Sequence, residues 1–433
     1  MNANRLSKVL GISTFGESHG KAIGILFDDV IPNRDFPLEQ IKTALAKRRP
    51  RVKGTSSRIE EDEIEILSGV WEGKTTGMPI CILIYNHDIR SDDYEKLAEL
   101  FRPGHADYAW FQKYHVYDFR GGGRASGRET VARVLAAEMY RDTIPQVRFS
   151  YNCTQIGCLR SDSIDTFATP SMENPYCWMD SKGLDHLHQY LKQIQDEGDS
   201  VGAILNVRVE NVSAGWGDPV YEKLDANIAK AMLSIGSIKG IHFGRGLAIA
   251  ETLGSDVNDR LTPESISSTF LGGINGGVSN GAPITFSLII RPPASVAVEQ
   301  NTIARNGHAD QLKIGGRHDL CHLPRLIPIV EAMLIISLAE AAKYQSILCG
   351  KAIELKDLRE SIDKVDEDLI LCLYRRKQLV NKVKELKKAS KIPFFDPQRE
   401  ADIDHNARAF ATKLELDPEV LSEIILRAIR ISR

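Results

Sequence analysis

The last glycine of this 433-residue chain is Gly350, and all 33 glycines stand at or before it. Glycine provides the positive-φ turns and close backbone approaches on which loop-rich folds depend. A chain rich in glycine over its first 350 residues and devoid of it afterwards is not one uniform fold. The break divides the sequence into two domains, 1–350 and 351–433. Length points the same way, because single cores rarely grow beyond about 250–300 residues.

The first domain mixes two hydrophobic periods. Short apolar runs at Ile64–Val70, Pro79–Tyr85, Ala203–Val209 and Ile284–Ile290 predict strands. Helical patterns cover Leu38–Arg48, Ala106–Tyr114, Arg128–Arg141, Leu184–Glu197, Leu224–Ser234 and Leu326–Leu348. Strands and helices intermingle without a regular βαβ repeat, which predicts a layered α+β or α/β fold.

The second domain is all-α. Glu354–Lys388 carries Leu355, Leu358, Ile362, Val365, Leu369, Leu373, Val380, Val383 and Leu386 at three- and four-residue steps. A helix of that length needs a partner along it. Asp396-Pro397 and Asp417-Pro418 each place Asp at an N-cap and Pro at the first helical position, predicting two shorter helices. Such a small unit has a thin core, so the long helix is expected to bury its stripe in a dimer.

Several function classes are disfavoured. The formal net charge is -3, so no global basic field invites nucleic acid. Seven scattered cysteines form no C-x-x-C pair, which predicts reduced thiols, a cytoplasmic home and no metal centre. No apolar signal segment follows the N-terminus, and Glu331 and Glu340 interrupt the apolar stretch Pro328–Ala342, so no membrane association is expected. Gly73-Lys74-Thr75 resembles the end of a P-loop, but Ser68 stands where its upstream glycine is required.

Three histidines sit in glycine-flanked strings: Gly16-Glu17-Ser18-His19-Gly20, Arg102-Pro103-Gly104-His105-Ala106-Asp107 and Gly315-Gly316-Arg317-His318-Asp319. Glycine permits close approach to a ligand and histidine moves protons near neutral pH. Singly, each also reads as a structural turn. Arg120-Gly121-Gly122-Gly123-Arg124-Ala125-Ser126-Gly127-Arg128 is suited to wrap an anion with backbone N–H groups and guanidinium forks, although a solvated loop has the same composition. A basic run from Lys47 through Arg48, Arg49 and Arg51 to Arg58 is either a solvated face or a site for a multiply anionic substrate.

Taken in order, the strings T-F-G-E-S-H-G (14–20), R-P-G-H-A-D (102–107), G-G-G-R-x-S-x-R-E-T (121–130), L-G-G-I-N-G-G-V-S-N-G (271–281), G-R-H-D (316–319) and E-A-M (331–333) resemble the chorismate synthase family over about residues 5–345. The resemblance implies a β-α-β sandwich, usually a homotetramer. It implies an anti 1,4-elimination of phosphate from 5-enolpyruvylshikimate 3-phosphate, with reduced FMN as cofactor and NADPH as a candidate reductant. By the same resemblance His19, His105 and Asp319 are catalytic. Arg48, Arg49, Arg124 and Arg128 bind the substrate. Arg48, Arg124, Ala125, Ser126, Gly236, Ser237, Gly276, Arg291, Pro292, Pro293, Ala294, Ser295 and Arg317 contact FMN. Ala125, Gly127 and Arg291 stand where the family commonly has serine, alanine and lysine. A family arginine falls opposite Gly54, with Arg51, Lys53 and Arg58 as candidate substitutes.

In the second domain, Arg359, Arg376 and Lys387 fall on or beside the apolar stripe. Cations there either meet an anion or snorkel at its edge. Together with Asp396, Arg399 and Glu400 they resemble the all-helical chorismate mutase family. That resemblance implies a pericyclic rearrangement of chorismate to prephenate. Arg376 and Arg399 would hold carboxylates, Lys387 the ether oxygen, and Arg359 would come from the partner chain. Ser432 matches a family serine, and the Gln or Glu that the family places four residues later falls beyond Arg433. The alternative is a non-catalytic module that binds chorismate or an aromatic product, or that holds an oligomer together.

Overall fold

The computed structural model describes residues 4–7, 9–49, 55, 62–87, 98–262, 266, 268–315, 318–348, 355–390, 393, 397–413 and 416–432. The chain divides into two compact units, Met1–Leu348 and Cys349–Arg433.

The first unit holds two antiparallel sheets. One orders its strands Ile12–Gly16, Ala22–Phe27, Ile80–Tyr85 and Ile64–Ile66. The other runs Ile238–Phe243, Ile284–Ile290, Ala203–Glu210, Arg148–Ile156 and Leu159–Arg160. Alternate residues of Ile80–Tyr85 and Ala203–Glu210 are buried, so each strand turns one face to the core.

Helices join the two sheets. Thr130–Tyr140 is buried on nearly every side, as a helix apolar all round must be. It packs on the first sheet and on helix Leu323–Leu348. The rings of Tyr140 and Phe27 lie 6.2 Å apart. On the other side, Tyr151 of the second sheet donates to Glu331 of Leu323–Leu348 at 3.1 Å. One hydrophobic core therefore runs from sheet through helices to sheet, the layered α+β arrangement expected.

Two local expectations are corrected. The run Ile64–Val70 is not one strand: it stops at Ile66, and Val70–Trp71 pairs instead with Lys74–Thr75. Gly69 causes the break. Its φ is +80°, and a Cβ there would lie 2.5 Å from Ile80 Cγ1. Nor does the glycine-arginine loop open directly into an α-helix. Two 3-10 turns, Gly123–Ala125 and Gly127–Glu129, precede Thr130, with Ser126 Oγ accepting from Arg128 N at 3.3 Å.

The second unit has helices Leu355–Ala389, Pro397–Lys413 and Pro418–Ser432, the last packing on both others. Asp417 Oδ1 caps the third, accepting from Glu419 N and Val420 N at 2.8 and 3.2 Å. Asp396, the expected cap of the second, lies outside the described residues. Arg408 clasps the two shorter helices, donating to Asp404 at 3.0 Å and to Ser422 at 3.1 Å and pairing with Glu419. On the long helix, Ile362, Leu369, Val383 and Leu386 remain exposed in the single chain. No described helix is long and apolar enough to cross a membrane. Of the six described cysteines, Cys153, Cys177 and Cys321 are buried and none is paired.

Candidate active site

The first histidine string packs on the triple glycine. Ser18 N donates to Gly123 O at 3.2 Å, and Ser18 Oγ lies 3.2 Å from His19 Nδ1. His19 is buried. Gly121, at φ +57°, abuts the imidazole so closely that a Cβ would fall 2.1 Å from His19 Cε1. Arg124 then reaches back to strand Ile12–Gly16, donating to Thr14 O and Oγ1 at 2.7 and 2.6 Å.

Arg48, Arg49 and Arg128 converge on one carboxylate. Asp62 is 1% exposed, and Arg128 Nη1 donates to its Oδ1. Arg49 Nε lies 3.3 Å from Oδ2 and Arg48 Nη2 lies 3.9 Å from Oδ1. Three guanidinium groups gathered at one buried carboxylate form a cationic cluster suited to a multiply anionic ligand. Arg128 also donates to Asn86 Oδ1 at 2.9 Å. Asn86 Nδ2 donates in turn to Glu17 O and Gly20 O, tying this cluster to the His19 loop.

His105 stands on a rigid turn. Arg102 and Asp107 form a buried bidentate pair at 2.7 and 2.9 Å. His105 Nδ1 donates to Pro103 O at 3.0 Å, which leaves Nε2 of the neutral ring to accept from Ser295 Oγ at 3.1 Å. Burial and the nearby Arg102 charge push the imidazole down to about 4. Gly104 presses on the 291–295 segment, since a Cβ there would lie 3.1 Å from Ala294 Cβ and 3.5 Å from Arg291 Nη1. Ser200 Oγ holds Pro293 O at 2.7 Å. Arg102 faces Gly122 as well, so the His105 turn and the triple glycine border one another.

The same segment reaches the third group. Arg291 N donates to Ser237 O at 2.9 Å, and Ser237 Oγ lies 2.8 Å from His322 Nδ1. Asp319 pairs with Arg325 at 3.2 Å. Burial, Arg291 and Arg325 lower the His322 imidazole from its ordinary range, opposed by Asp319. Along the path from His19 through Gly121, Gly122, Arg102, His105, Ser295, Arg291, Ser237 and His322 to Asp319, each residue thus touches or adjoins the next. Gly276 is not brought onto it by any contact: it forms an exposed hairpin turn at φ +60° with no heavy atom within 4 Å of an added Cβ. Gly236 is exposed beside Ser237. Arg317, Arg51, Lys53, Gly54 and Arg58 lie outside the described residues.

In the second unit, Arg376 Nη1 donates to Ala428 O at 3.1 Å, joining the long helix to the third. Lys387 Nζ donates to Pro393 O at 3.1 Å. Arg399 is exposed. The side chains of Arg359, Glu400 and Ser432 lie outside the described set.

Residues 10–342 match the family model of chorismate synthase. The chain belongs to the chorismate synthase family. Residues 358–433 match the model of chorismate mutase type II, so the two families follow one another along the chain. A chorismate synthase of Syntrophus aciditrophicus (strain SB) is 42% identical over 344 residues, 78% of this chain and 97% of that protein. One from Xanthomonas oryzae pv. oryzae (strain PXO99A) is 41% identical over 359 residues, 82% of this chain and 97% of that protein. A solved structure titled "Crystal Structure of Chorismate Synthase" matches with a TM-score of 0.58 at 27% identity, covering 77% of this chain and 92% of that one.

Against this family background, five structural participants were not assigned from sequence. Asp62 sits in Glu60-Glu61-Asp62-Glu63, which reads as a solvated acidic face. Asn86 follows a strand with nothing to mark it. Arg102 and Asp107 open and close a quoted motif, and their five-residue spacing was the available signal of a clamp. His322, three residues beyond Asp319, is the third histidine of the site.

Proposed function

We propose that the first domain converts 5-enolpyruvylshikimate 3-phosphate to chorismate by anti 1,4-elimination of phosphate, and that residues 351–433 rearrange chorismate to prephenate. The observation that carries the first activity is the convergence of Arg48, Arg49 and Arg128 on buried Asp62. The substrate brings one phosphate and two carboxylates, and guanidinium forks are the groups that hold such anions.

Arg124 supports a flavin phosphate. Its Nη2 is held by Thr14, whereas its buried Nη1 has no hydrogen-bond partner among the described residues. Ala125, Ser126, Ser237 and the Arg291–Ser295 segment complete the cradle. Reduced FMN, when bound, supplies electron density to the elimination without net redox change. The protein's own groups hold and move protons. His105 is neutral beside Arg102, and an arriving phosphate raises its proton affinity, making it a donor to the departing group. His19, braced against Gly121, maintains the protonation state of the ring beside it. Asp319, paired with Arg325, carries the proton taken from the substrate. NADPH is the proposed reductant, the assembly a homotetramer and the compartment the cytoplasm.

In the helical domain Arg376, Lys387 and Arg399, with Arg359 from a second copy, would hold the reactive conformer and place cations at the ether oxygen. A second reading treats this domain as a binding or assembly module. It is favoured by the exposed stripe Ile362, Leu369, Val383 and Leu386, and by the backbone carbonyls that engage Arg376 and Lys387.

The test is an anaerobic reaction of the whole chain with the enolpyruvyl substrate and chemically reduced FMN, its products separated by chromatography. Chorismate followed by prephenate is the expected result. Chorismate alone selects the module reading, and no chorismate overturns the first assignment.

A further inference from the structure

The proton-handling groups just assigned leave one buried imidazole unused. His322 lies at the start of helix Leu323–Leu348, where Arg325 N and Leu326 N donate to its carbonyl at 3.0 Å each. Its main chain is therefore fixed by the helix terminus. Its Nδ1 meets Ser237 Oγ at 2.8 Å, 85 residues away in sequence.

Ser237 is an unusual residue to hold this way. Its φ is +79°, a conformation that L side chains rarely adopt. Such a backbone persists only where its surroundings over-determine it. Two contacts do so here: the His322 bond to the hydroxyl and the Arg291 N–H bond to the carbonyl at 2.9 Å. Arg291 begins the segment that ends in Ser295, and Ser295 Oγ donates to His105 Nε2 at 3.1 Å.

We propose that His322 is a positioning residue of this site: by fixing Ser237 it fixes the Arg291–Ser295 segment and, through Ser295, the orientation of His105. The inference rests on the synthase reading for its catalytic meaning. Its structural part stands on the contacts alone. Strand Ile238–Phe243 begins just after Ser237 and its antiparallel neighbour Ile284–Ile290 ends just before Arg291, so both loops adjoin paired strands of one sheet. Such loops have sheet-anchored bases and mobile crowns unless something ties them. The Ser237–His322 bond ties one crown to the helix layer.

Two signatures separate positioning from simple folding. The first is rescue. Asparagine carries a polar atom close to where histidine carries Nδ1, so His322→Asn keeps a partner for Ser237 whereas His322→Ala removes it. The second is coupling. If His322 acts through Ser237, then both His322→Ala and Ser237→Ala delete this bond, and the double variant loses no more than Ser237→Ala alone.

The experiment measures FMN affinity by fluorescence quenching, and kcat and KM with reduced FMN, for the full chain carrying His322→Ala, His322→Asn, Ser237→Ala and the double substitution. The expected result is FMN affinity weakened about tenfold and kcat lowered about tenfold in His322→Ala, near-complete restoration in His322→Asn, and non-additive effects in the double variant. Wild-type FMN affinity in His322→Ala, absence of rescue by Asn, or additive effects would overturn the proposal. Should His322→Ala fail to fold, Ser237→Ala removes the same bond from the other side, and unchanged FMN affinity there overturns it equally. A wild-type chain that binds FMN but makes no chorismate overturns the functional reading and leaves the affinity cycle to decide on His322. A wild-type chain with no affinity for FMN overturns both.

Discussion

Gly121 and His19 occupy a space in which one of them has to be without a side chain: a Cβ on Gly121 would lie 2.1 Å from His19 Cε1. The glycine also sits at φ +57°, so alanine there is strained as well as crowded. Strain of this kind costs about 1–3 kcal/mol, which the large core of the first unit absorbs. Gly121→Ala is therefore expected to remain folded, to unfold a few degrees earlier, and to lose roughly a hundredfold in chorismate formation as His19 is displaced. Thermal unfolding and kcat/KM on the same preparation check both parts.

Asp62 neutralises part of a buried cluster of like charges. Removing one member of a buried ion pair costs about 3–5 kcal/mol, because the remaining charges lose their partner without regaining water. Asp62→Ala is expected to lower stability by that order in denaturant unfolding. Inorganic phosphate should recover part of the loss, since an anion bound among Arg48, Arg49 and Arg128 replaces the missing carboxylate. A phosphate-independent midpoint would remove these arginines from anion binding.

His105 gives stability a pH dependence of definite sign. Its imidazole is pushed down to about 4 in the folded chain, from an ordinary 6.5. Between these values the unfolded chain holds a proton that the folded chain lacks. Stability therefore falls as pH drops through this window, by about 3 kcal/mol at most. His105→Gln is expected to flatten that slope between pH 6.5 and 4 and to abolish most chorismate formation at neutral pH. Unfolding curves measured at half-unit steps, wild type beside variant, decide the matter.

Arg376 separates the two proposed activities. Its guanidinium reaches Ala428 O at 3.1 Å within the helical unit. Arg376→Ala is expected to reduce prephenate formation more than a hundredfold and to leave chorismate formation within a factor of two. Parallel chromatography of both products from one reaction reads out the split. A fall in chorismate formation would show that the two activities are not independent.

The parts of the fold legible in the sequence were those governed by local periodicity and capping. Leu224–Leu233, Ile284–Ile290 and the long helix Leu355–Ala389 lie within a few residues of their expected bounds. Pro397 and Pro418 do open helices. What escaped was governed by distant partners. Nothing within Ile64–Val70 tells that Gly69 must pass under Ile80 and end the strand. The histidine strings announced themselves through glycine, because close approach leaves a compositional trace. Asp62 leaves none: a carboxylate buried under three arginines looks, in one dimension, like its acidic neighbours. His322 was hidden for the same reason, its meaning residing in Ser237, which only the sheet brings within 2.8 Å.

If a second copy covers the exposed stripe on helix Leu355–Ala389, the helical unit acquires a dependence on abundance. Apolar surface covered by another copy would make the last step of folding bimolecular, and the stability of this unit would then carry a term in protein concentration. Dilution would then loosen the helical unit. A single polypeptide, synthesised at a fixed one-to-one ratio of its parts, would in this way deliver two activities in a ratio that changes with how much of it the cell makes.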